Sequence, residues 1–125
     1  MSIPSATQNR YPHRNQPTWS TKEKAIARTA FDVALGRELQ EVIEKTKQMA
    51  NAIRQSADIW DLEKYLTQRR KEIDRTYEFR ESRRRDVLGR LLYENRLGEQ
   101  DLHGLGADKV KSICSFAKFL RDDAA

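Results

Sequence analysis

The sequence has few of the residues that characterise several other classes of protein. Its 125 residues include one cysteine, two histidines, five glycines and three prolines. The single cysteine excludes a disulfide within the chain, and all three prolines precede residue 18, so none interrupts a later helix. No stretch approaches the roughly 20 apolar residues of a membrane-spanning helix, and the apolar core of a secretory signal is lacking. We therefore expect a soluble, intracellular protein.

Charge, by contrast, is abundant. Charged residues make up 34% of the chain and hydrophobic residues 38%, which leaves little material for a thick core. Ten lysines and arginines but only five carboxylates lie between Lys64 and Arg90, and this excess equals the whole net charge of +5. The composition favours a thin helical assembly or an oligomer with one strongly basic segment.

Residues 1–18 are polar and without periodicity, which indicates a disordered tail, and a single all-α domain is predicted over residues 19–122. Ser20 and Glu23 have the spacing of a capping box, so the first helix should begin there. Its apolar seam indicates an end between residues 54 and 57. The seam consists of Ala27, Phe31, Ala34 or Leu35, Leu39, Val42, Met49 and Ile53.

A second long helix is predicted from Asp58 to about Asn95. Asp58 can accept hydrogen bonds from free backbone N–H groups at its start, while Trp60 lies off the apolar stripe and points to a further surface. Two long helices joined by a few residues form an antiparallel stalk, residues 19–95. Because such a pair buries too little surface alone, we predict a two-fold homodimer. The stripe consists of Ile59, Leu62, Leu66, Arg69, Ile73 and Tyr77.

Residues 96–122 are predicted to form a small C-terminal head. Gly98 ends the stalk, a short helix follows around Glu99 to Leu102, and Asp108 caps a last helix after a glycine-rich turn. Cys114 is expected to be a small buried side chain on that helix. The inner face of the last helix carries Val110, Ile113, Phe116, Ala117 and Leu120.

No catalytic or metal-ligating constellation stands out. His13 lies in the tail, His103 stands alone near a turn, and Cys114 has no histidine close in sequence. We therefore expect neither a metal nor a cofactor, and no enzymatic activity.

Two basic triplets, Arg69–Lys71 and Arg83–Arg85, leave three interpretations open. An arginine-rich helix is typical of nucleic-acid binding. Consecutive helical residues point about 100° apart, however, so each triplet is spread around the axis instead of facing one groove. A solvated, ion-paired helix face is favoured over nucleic acid, and an acidic protein partner is the third interpretation.

A longer motif covers much of the second predicted helix. It comprises Asp58-Ile-Trp60-Asp-Leu62, Tyr65-Leu66, Arg69-Arg70, Glu72-Ile73-Asp74, Tyr77, Arg80 and Ser82. This pattern resembles the central signature of the fluorescence recovery protein family of cyanobacteria. The order and spacing of flanking residues agree over about residues 19–120. These flanks are Trp19-Ser20, Arg37-Glu38, Leu91-Leu92 with Glu94, and Leu105 with Asp108-Lys109 and Ile113.

The resemblance implies a non-enzymatic, all-α dimer with a helical stalk and a C-terminal head. Members of that family bind the C-terminal domain of photoactivated orange carotenoid protein, help its two domains reassociate in the dark, and so end quenching at the phycobilisome. The implied location is the cytoplasm, at the cytoplasmic face of thylakoids through phycobilisomes. Trp60 and Arg70 match stalk positions that the family uses for dimerisation and partner binding.

Other positions depart from the family pattern. Glu63 and Lys64 replace a histidine and an aspartate, Arg83–Arg85 stand where apolar residues are typical, Asp86 replaces a head phenylalanine, and Ser112 replaces a lysine. The chain is then either a divergent recovery protein whose carotenoid protein carries compensating changes, which we favour, or a dimeric adaptor for another acidic protein or nucleic acid. The candidate basic contact strip is Arg83, Arg84 and Arg85. The predicted partner or dimer residues are Trp60, Glu63, Lys64, Arg70, Asp86 and Ser112.

Overall fold

The structure is a computed structural model that describes residues 18–78 and 80–124. Within these ranges it is all-helical and contains no strand, which confirms the predicted fold class. The predicted tail, apart from Thr18, lies outside the described residues, as do His13 and Phe79. The described residues form four α-helices, α1 (Thr21–Asn51), α2 (Ser56–Thr76), α3 (Arg84–Tyr93) and α4 (Ala107–Ala124), and short 3-10 helices at Glu81–Arg83 and Glu99–Leu102.

The capping box predicted at the start of α1 is present. The Ser20 hydroxyl accepts a hydrogen bond from the Glu23 N–H at 3.1 Å, and the Glu23 carboxylate accepts one from the Ser20 N–H at 2.9 Å. The same carboxylate accepts a bond from the Gly106 N–H at 2.8 Å and pairs with Lys109 at 3.2 Å. Glu23 therefore joins the start of α1 to the start of α4.

The connection between α1 and α2 differs slightly from the prediction. α1 ends at Asn51, earlier than expected, and α2 begins at Ser56. Asp58 lies in the first turn of α2, where its carboxylate accepts N–H bonds from Arg54 and Gln55 at 2.8 and 3.1 Å. The Asp58 carboxylate thus satisfies two backbone N–H groups just before α2 and places a negative charge at the positive end of the helix dipole.

The prediction of one helix from Asp58 to about Asn95 is wrong. α2 ends at Thr76 and α3 begins at Arg84. The hydroxyl of Tyr77, the residue that follows α2, donates to the Glu38 carboxylate of α1 at 2.9 Å. α2 therefore ends at the point where the Tyr77 hydroxyl binds the buried Glu38 carboxylate of α1.

Packing of the residues after the break gives the physical reason for it. Arg69 of α2 contacts Glu38 of α1. In a straight hairpin of that register Leu88 would lie beside Trp19, where α1 has not yet begun and offers no surface to cover it. Because the chain breaks instead, Leu88 and Leu91 are completely buried in one cluster with α1 residues such as Phe31.

The core lies where α3 and α4 pack against each other and against the first half of α1. Gly89 of α3 permits the close approach of α4. A Cβ atom at Gly89 would lie 2.8 Å from the Phe116 ring and 3.1 Å from the Ile113 carbonyl oxygen. A larger residue there would force the two helices apart.

Of the features predicted after Asn95, the short helix and the turn are present, whereas the roles of Asp108 and Cys114 differ. The short helix at Glu99–Leu102 is present as a 3-10 helix, and Gly104 has a φ of 99°, a conformation that glycine adopts readily. α4 begins at Ala107, so Asp108 lies in its first turn and does not precede it as a cap. Cys114 is half-buried on α4, less enclosed than expected.

The contacts of Glu23 predict how stability depends on pH. Backbone hydrogen bonds from Ser20 and Gly106, together with the Lys109 ammonium, lower the pKa of Glu23 to about 2 from its ordinary value of 4.5. A carboxylate with a lowered pKa stabilises the folded state above pH 4.5, and this stabilisation is lost as the pH falls towards 2. We expect Glu23→Gln to flatten the decrease in unfolding free energy over that interval, measured by urea denaturation.

A matched control is Glu44→Gln, which removes a carboxylate from an exposed position of α1. Part of the decrease in unfolding free energy at low pH should persist in Glu23→Gln, because the Arg37 side chain and the Gly98 N–H also lower the pKa of Asp101. If the unfolding free energy fell equally steeply with pH in the Glu23 and Glu44 variants, the role assigned to Glu23 would be contradicted.

Candidate protein-interaction surface

The most unusual element is α2, which buries none of its residues although it carries apolar side chains at helical spacing. Ile59 and Leu66, two turns apart, are 47% and 39% exposed, and the neighbouring Trp60 is 66% exposed. On α1, Leu39 and Ile43 are similarly exposed. Large apolar side chains grouped on adjoining helices indicate a surface that a partner covers.

A groove of about 590 Å³ runs between α1 and α2 on this surface. Leu39 of α1 and Leu66 and Ile73 of α2 form its apolar walls, and Arg70 and Lys71 lie at its edge. Arg70 is exposed. The two residues assigned to the stalk surface, Trp60 and Arg70, are therefore both accessible on α2, and their roles remain predictions.

Glu63 and Lys64 are also exposed on α2. The Glu63 carboxylate accepts a hydrogen bond from the Thr67 hydroxyl at 2.8 Å, one turn later on the same helix. Their charges are thus presented beside Trp60, where a partner would meet them.

A buried carboxylate on α1 holds α2 in place. Glu38 is only 4% exposed. Arg69 donates to its Oε2 at 2.7 Å, the Tyr77 hydroxyl donates to its Oε1 at 2.9 Å, and Arg96 Nε lies 3.3 Å from Oε1. These partners come from α2, the residue after α2 and the turn after α3. We call these four residues the Glu38 cluster.

Electrostatics keep the three partners of Glu38 in one protonation state near neutral pH. Burial alone would lower the pKa of Arg69, but hydrogen bonds to Glu38 and Glu72 outweigh it and raise that pKa. Burial also opposes the charge of Arg96, and attraction to neighbouring carboxylates, Glu38 first, raises its pKa. For Tyr77, burial raises the pKa, and the hydrogen bond to Glu38 adds to the increase. Tyr77 therefore remains a donor while both arginines remain charged.

Further bonds attach the turn after α3 to α1. Arg37 donates to the Arg96 carbonyl at 2.8 Å and to the Asp101 carboxylate at 2.9 Å, and Arg96 pairs with Glu41. These bonds attach the turn after α3 to α1 residues on either side of Glu38, namely Arg37 and Glu41.

The structure corrects the prediction of an exposed basic strip at Arg83–Arg85. Arg83 is exposed, but Arg84 is only 4% exposed, and its guanidinium carbon lies 5.1 Å from the centre of the Trp19 ring. Because consecutive helical residues point about 100° apart, three adjacent arginines cannot face one partner. Arg84 pairs with Glu81 and contributes to packing instead.

Arg85 links the two candidate residues of the head. It pairs with Asp86 at 2.7 Å, donates to the Ser112 hydroxyl at 3.4 Å, and lies over the Phe116 ring with 5.1 Å to its centre. Asp86 and Ser112 therefore belong to one half-buried patch between α3 and α4. The sequence placed them in no relation to each other, and their roles in binding remain predictions.

Two negative findings apply to residues 18–78 and 80–124. They contain no group of three or more histidine, cysteine or acidic side chains arranged to hold a metal ion. No helix in these ranges is long and apolar enough to cross a membrane.

Reasoning from the sequence missed the Glu38 cluster, although a signal was present. Glu38 follows Ala34 by four residues and Phe31 by seven, so it lies on the apolar seam of α1. Arg69 interrupts the apolar stripe of α2 in the same way. Opposite charges on the facing stripes of two paired helices indicate a buried ion pair between them.

Comparison with known proteins places this architecture among regulators of photoprotection. The family model described as photoprotection regulator fluorescence recovery protein matches residues 19–117. The fluorescence recovery protein of Synechocystis sp. is 34% identical over 100 residues, which cover 80% of this chain and 92% of that protein. These proteins are named as regulators and not as enzymes.

Solved structures agree with this result. The fluorescence recovery protein of Fremyella diplosiphon superposes with a TM-score of 0.76 at 33% identity, and the match covers 81% of this chain and 99% of that one. The Synechocystis structure matches with the same TM-score and coverage at 34% identity.

The geometry predicts a measurable coupling between Glu38 and Arg69. Removing one member of a buried ion pair leaves the other charge uncompensated. We expect a double-mutant cycle with Glu38→Gln and Arg69→Gln to give a coupling of about 1–2 kcal/mol in unfolding free energy. Urea denaturation followed by circular dichroism would measure it.

The exposed pair Lys118 and Asp122, 3.9 Å apart on α4, provides the matched control. Its coupling should not exceed about 0.5 kcal/mol, because solvent screens exposed pairs. A Glu38–Arg69 coupling as small as that of the control would show that the pair does not hold α2 in place.

Proposed function

This chain belongs to the fluorescence recovery protein family, and we propose that it binds the C-terminal domain of photoactivated orange carotenoid protein and accelerates its return to the dark form. The result would be the end of energy quenching at the phycobilisome. The observation that carries the proposal is the uncovered apolar face of α2 around Trp60, within the segment that the family model matches. The role is regulatory and requires no catalytic group on this chain.

We also propose that two copies form a two-fold homodimer through a stalk in which α1 and α2 run antiparallel. Support comes from α2, which buries no residue within one copy, and from the exposed Leu39, Ile43 and Ile59. A helical pair with this much uncovered apolar surface gains stability when a second copy covers it. Symmetric pairing of the same face is the simplest closed arrangement.

The proposed place of action is the cytoplasm, at the cytoplasmic face of thylakoids where phycobilisomes dock. Exposed Glu63 and Lys64, at positions where the family pattern has other residues, are expected to meet complementary changes in the carotenoid protein of the same organism. Charge changes on both sides of an interface can preserve complementarity.

A second candidate function is that of a dimeric adaptor for another acidic protein. The excess of basic residues between Lys64 and Arg90 favours it. Nucleic acid is a weaker candidate for this role, because the arginines of each triplet point in different directions and Arg84 is buried.

The recovery function predicts a direct kinetic effect. We expect the dark recovery of photoactivated orange carotenoid protein from the same organism to accelerate with increasing concentration of this protein, measured by the decay of the red-form absorbance. Bovine serum albumin at equal concentration controls for non-specific effects. If the rate stays unchanged while the protein remains helical, the adaptor function is favoured instead.

Trp60→Ala should weaken the homodimer or the complex with the carotenoid protein while the helical content is retained, because Trp60 buries little within its own chain. Buried tryptophans dominate many interfaces, so we expect the affinity to fall about tenfold or more. Size-exclusion chromatography with light scattering would report the dimer, and the recovery rate would report the complex.

Phe119→Ala is the matched control, since Phe119 is 59% exposed but lies on α4. That substitution should leave the dimer intact. Wild-type association and recovery in Trp60→Ala, or an equal loss in both variants, would refute the assignment of the α2 face.

A further inference from the structure

A second cleft, of about 610 Å³, lies between α2 and α3, apart from the exposed face around Trp60. Arg69 and Arg75 of α2 form one wall. Arg83, directly before α3, and Arg90 of α3 form the other, and Val87 of α3 with Phe116 of α4 contributes apolar surface. Arg69 is shared with the groove between α1 and α2. Apart from Arg69 and Asp86, this basic cleft has no part in the recovery function proposed above, and it would give the second candidate function, the adaptor for an acidic protein, its binding site.

The carboxylates of the basic cleft are already matched by arginines of the same chain. Four carboxylates line the cleft, and each has a carboxylate oxygen within 3.3 Å of an arginine nitrogen. Three arginines, Arg69, Arg85 and Arg96, hold these four carboxylates, so one negative charge is left for the exposed arginines of the cleft to balance, and these keep an excess of positive charge. The pairs are Glu38 with Arg69, Glu72 with Arg69, Asp86 with Arg85, and Glu94 with Arg96.

Three cleft arginines, in contrast, retain charge for a ligand. Arg75 and Arg83 are exposed and form no ion pair with any carboxylate in the described part of the chain. Arg90 is 46% exposed and has only Glu94 nearby, at 3.8 Å, which already pairs more closely with Arg96. The guanidinium group is suited to carboxylate ligands, which it can bind through two hydrogen bonds.

The spacing of these arginines selects the shape of the ligand. Arg83 directly precedes α3 and Arg90 lies seven residues later, which corresponds to about 10 Å at the rise of an α-helix. A single small anion cannot reach both. A peptide in the extended polyproline II conformation advances about 3.1 Å per residue and has three residues per turn, so acidic side chains three residues apart lie on one face and match this distance.

We propose that the basic cleft binds an extended acidic segment of a protein partner. Carboxylates of that segment pair with Arg83 and Arg90, Arg75 contacts the segment from the opposite wall, and an apolar side chain between the carboxylates contacts Phe116, the half-buried apolar residue of the cleft. Val87, which lies between Arg83 and Arg90 in sequence, also lines the cleft but is only 6% exposed. The inference concerns recognition of a peptide and does not depend on the identity of the partner.

A synthetic peptide tests the proposal without any carotenoid protein. The probe is a fluorescein-labelled ten-residue peptide with two glutamates three positions apart and a leucine between them, and its binding is followed by fluorescence anisotropy. We expect saturable binding that weakens with salt, because exposed charges are screened. A peptide with glutamine in place of both glutamates should bind at least about tenfold more weakly.

Variants locate the binding. Arg75→Gln with Arg83→Gln should weaken binding of the acidic peptide about tenfold. The matched control is Arg54→Gln with Arg121→Gln, which removes the same charge from two exposed arginines outside the cleft and should have little effect. Circular dichroism would verify that both double variants remain folded.

Three results would overturn the proposal. They are equal binding by both double variants, equal binding of the glutamine peptide, and complete competition by inorganic phosphate at millimolar concentration, which would identify a small-anion site. Because the recovery assay is a separate measurement, a failure here leaves the proposed function standing, and a failure there leaves this cleft standing.

Discussion

The arrangement of this molecule depends on one carboxylate. Glu38 lies buried on α1 and receives Arg69 from α2, Tyr77 from the end of α2, and Arg96 from the turn after α3. A buried carboxylate is costly unless it is paired and hydrogen-bonded, so each partner is held where the carboxylate requires it. The chain leaves α2 at Tyr77 and returns at Arg96 to the same side chain, and α3 is placed between these two points.

This polar attachment explains how a helix with no buried residue keeps its position. A buried ion pair contributes less to net stability than to the choice of one arrangement over others. α2 can therefore present Ile59, Trp60 and Leu66 outward without collapsing onto its own chain. A rigid helix with an uncovered apolar face is well suited to bind a protein partner, because little ordering is required at the moment of binding.

Local signals predicted the local features of the fold. The capping box at Ser20 and Glu23 and the short helix at Glu99–Leu102 follow from nearby residues, and the family resemblance followed from a long motif. The break after Thr76 could not be predicted, because no proline or glycine marks it and its causes are distant contacts: Glu38 and the burial of Leu88. The burial of Arg84 against Trp19 was missed for the same reason, since the two residues are far apart in sequence and nothing near Arg84 indicates the contact.

Amide hydrogen exchange in the wild-type protein and in Glu38→Gln would test most directly whether Glu38 positions α2. If it does, exchange should accelerate in residues 56–76 and 94–98 of the variant, while α3 and α4 keep their protection through the apolar core. Unchanged protection of α2 in the variant would contradict this, and would mean that contacts other than the Glu38 cluster hold the helix.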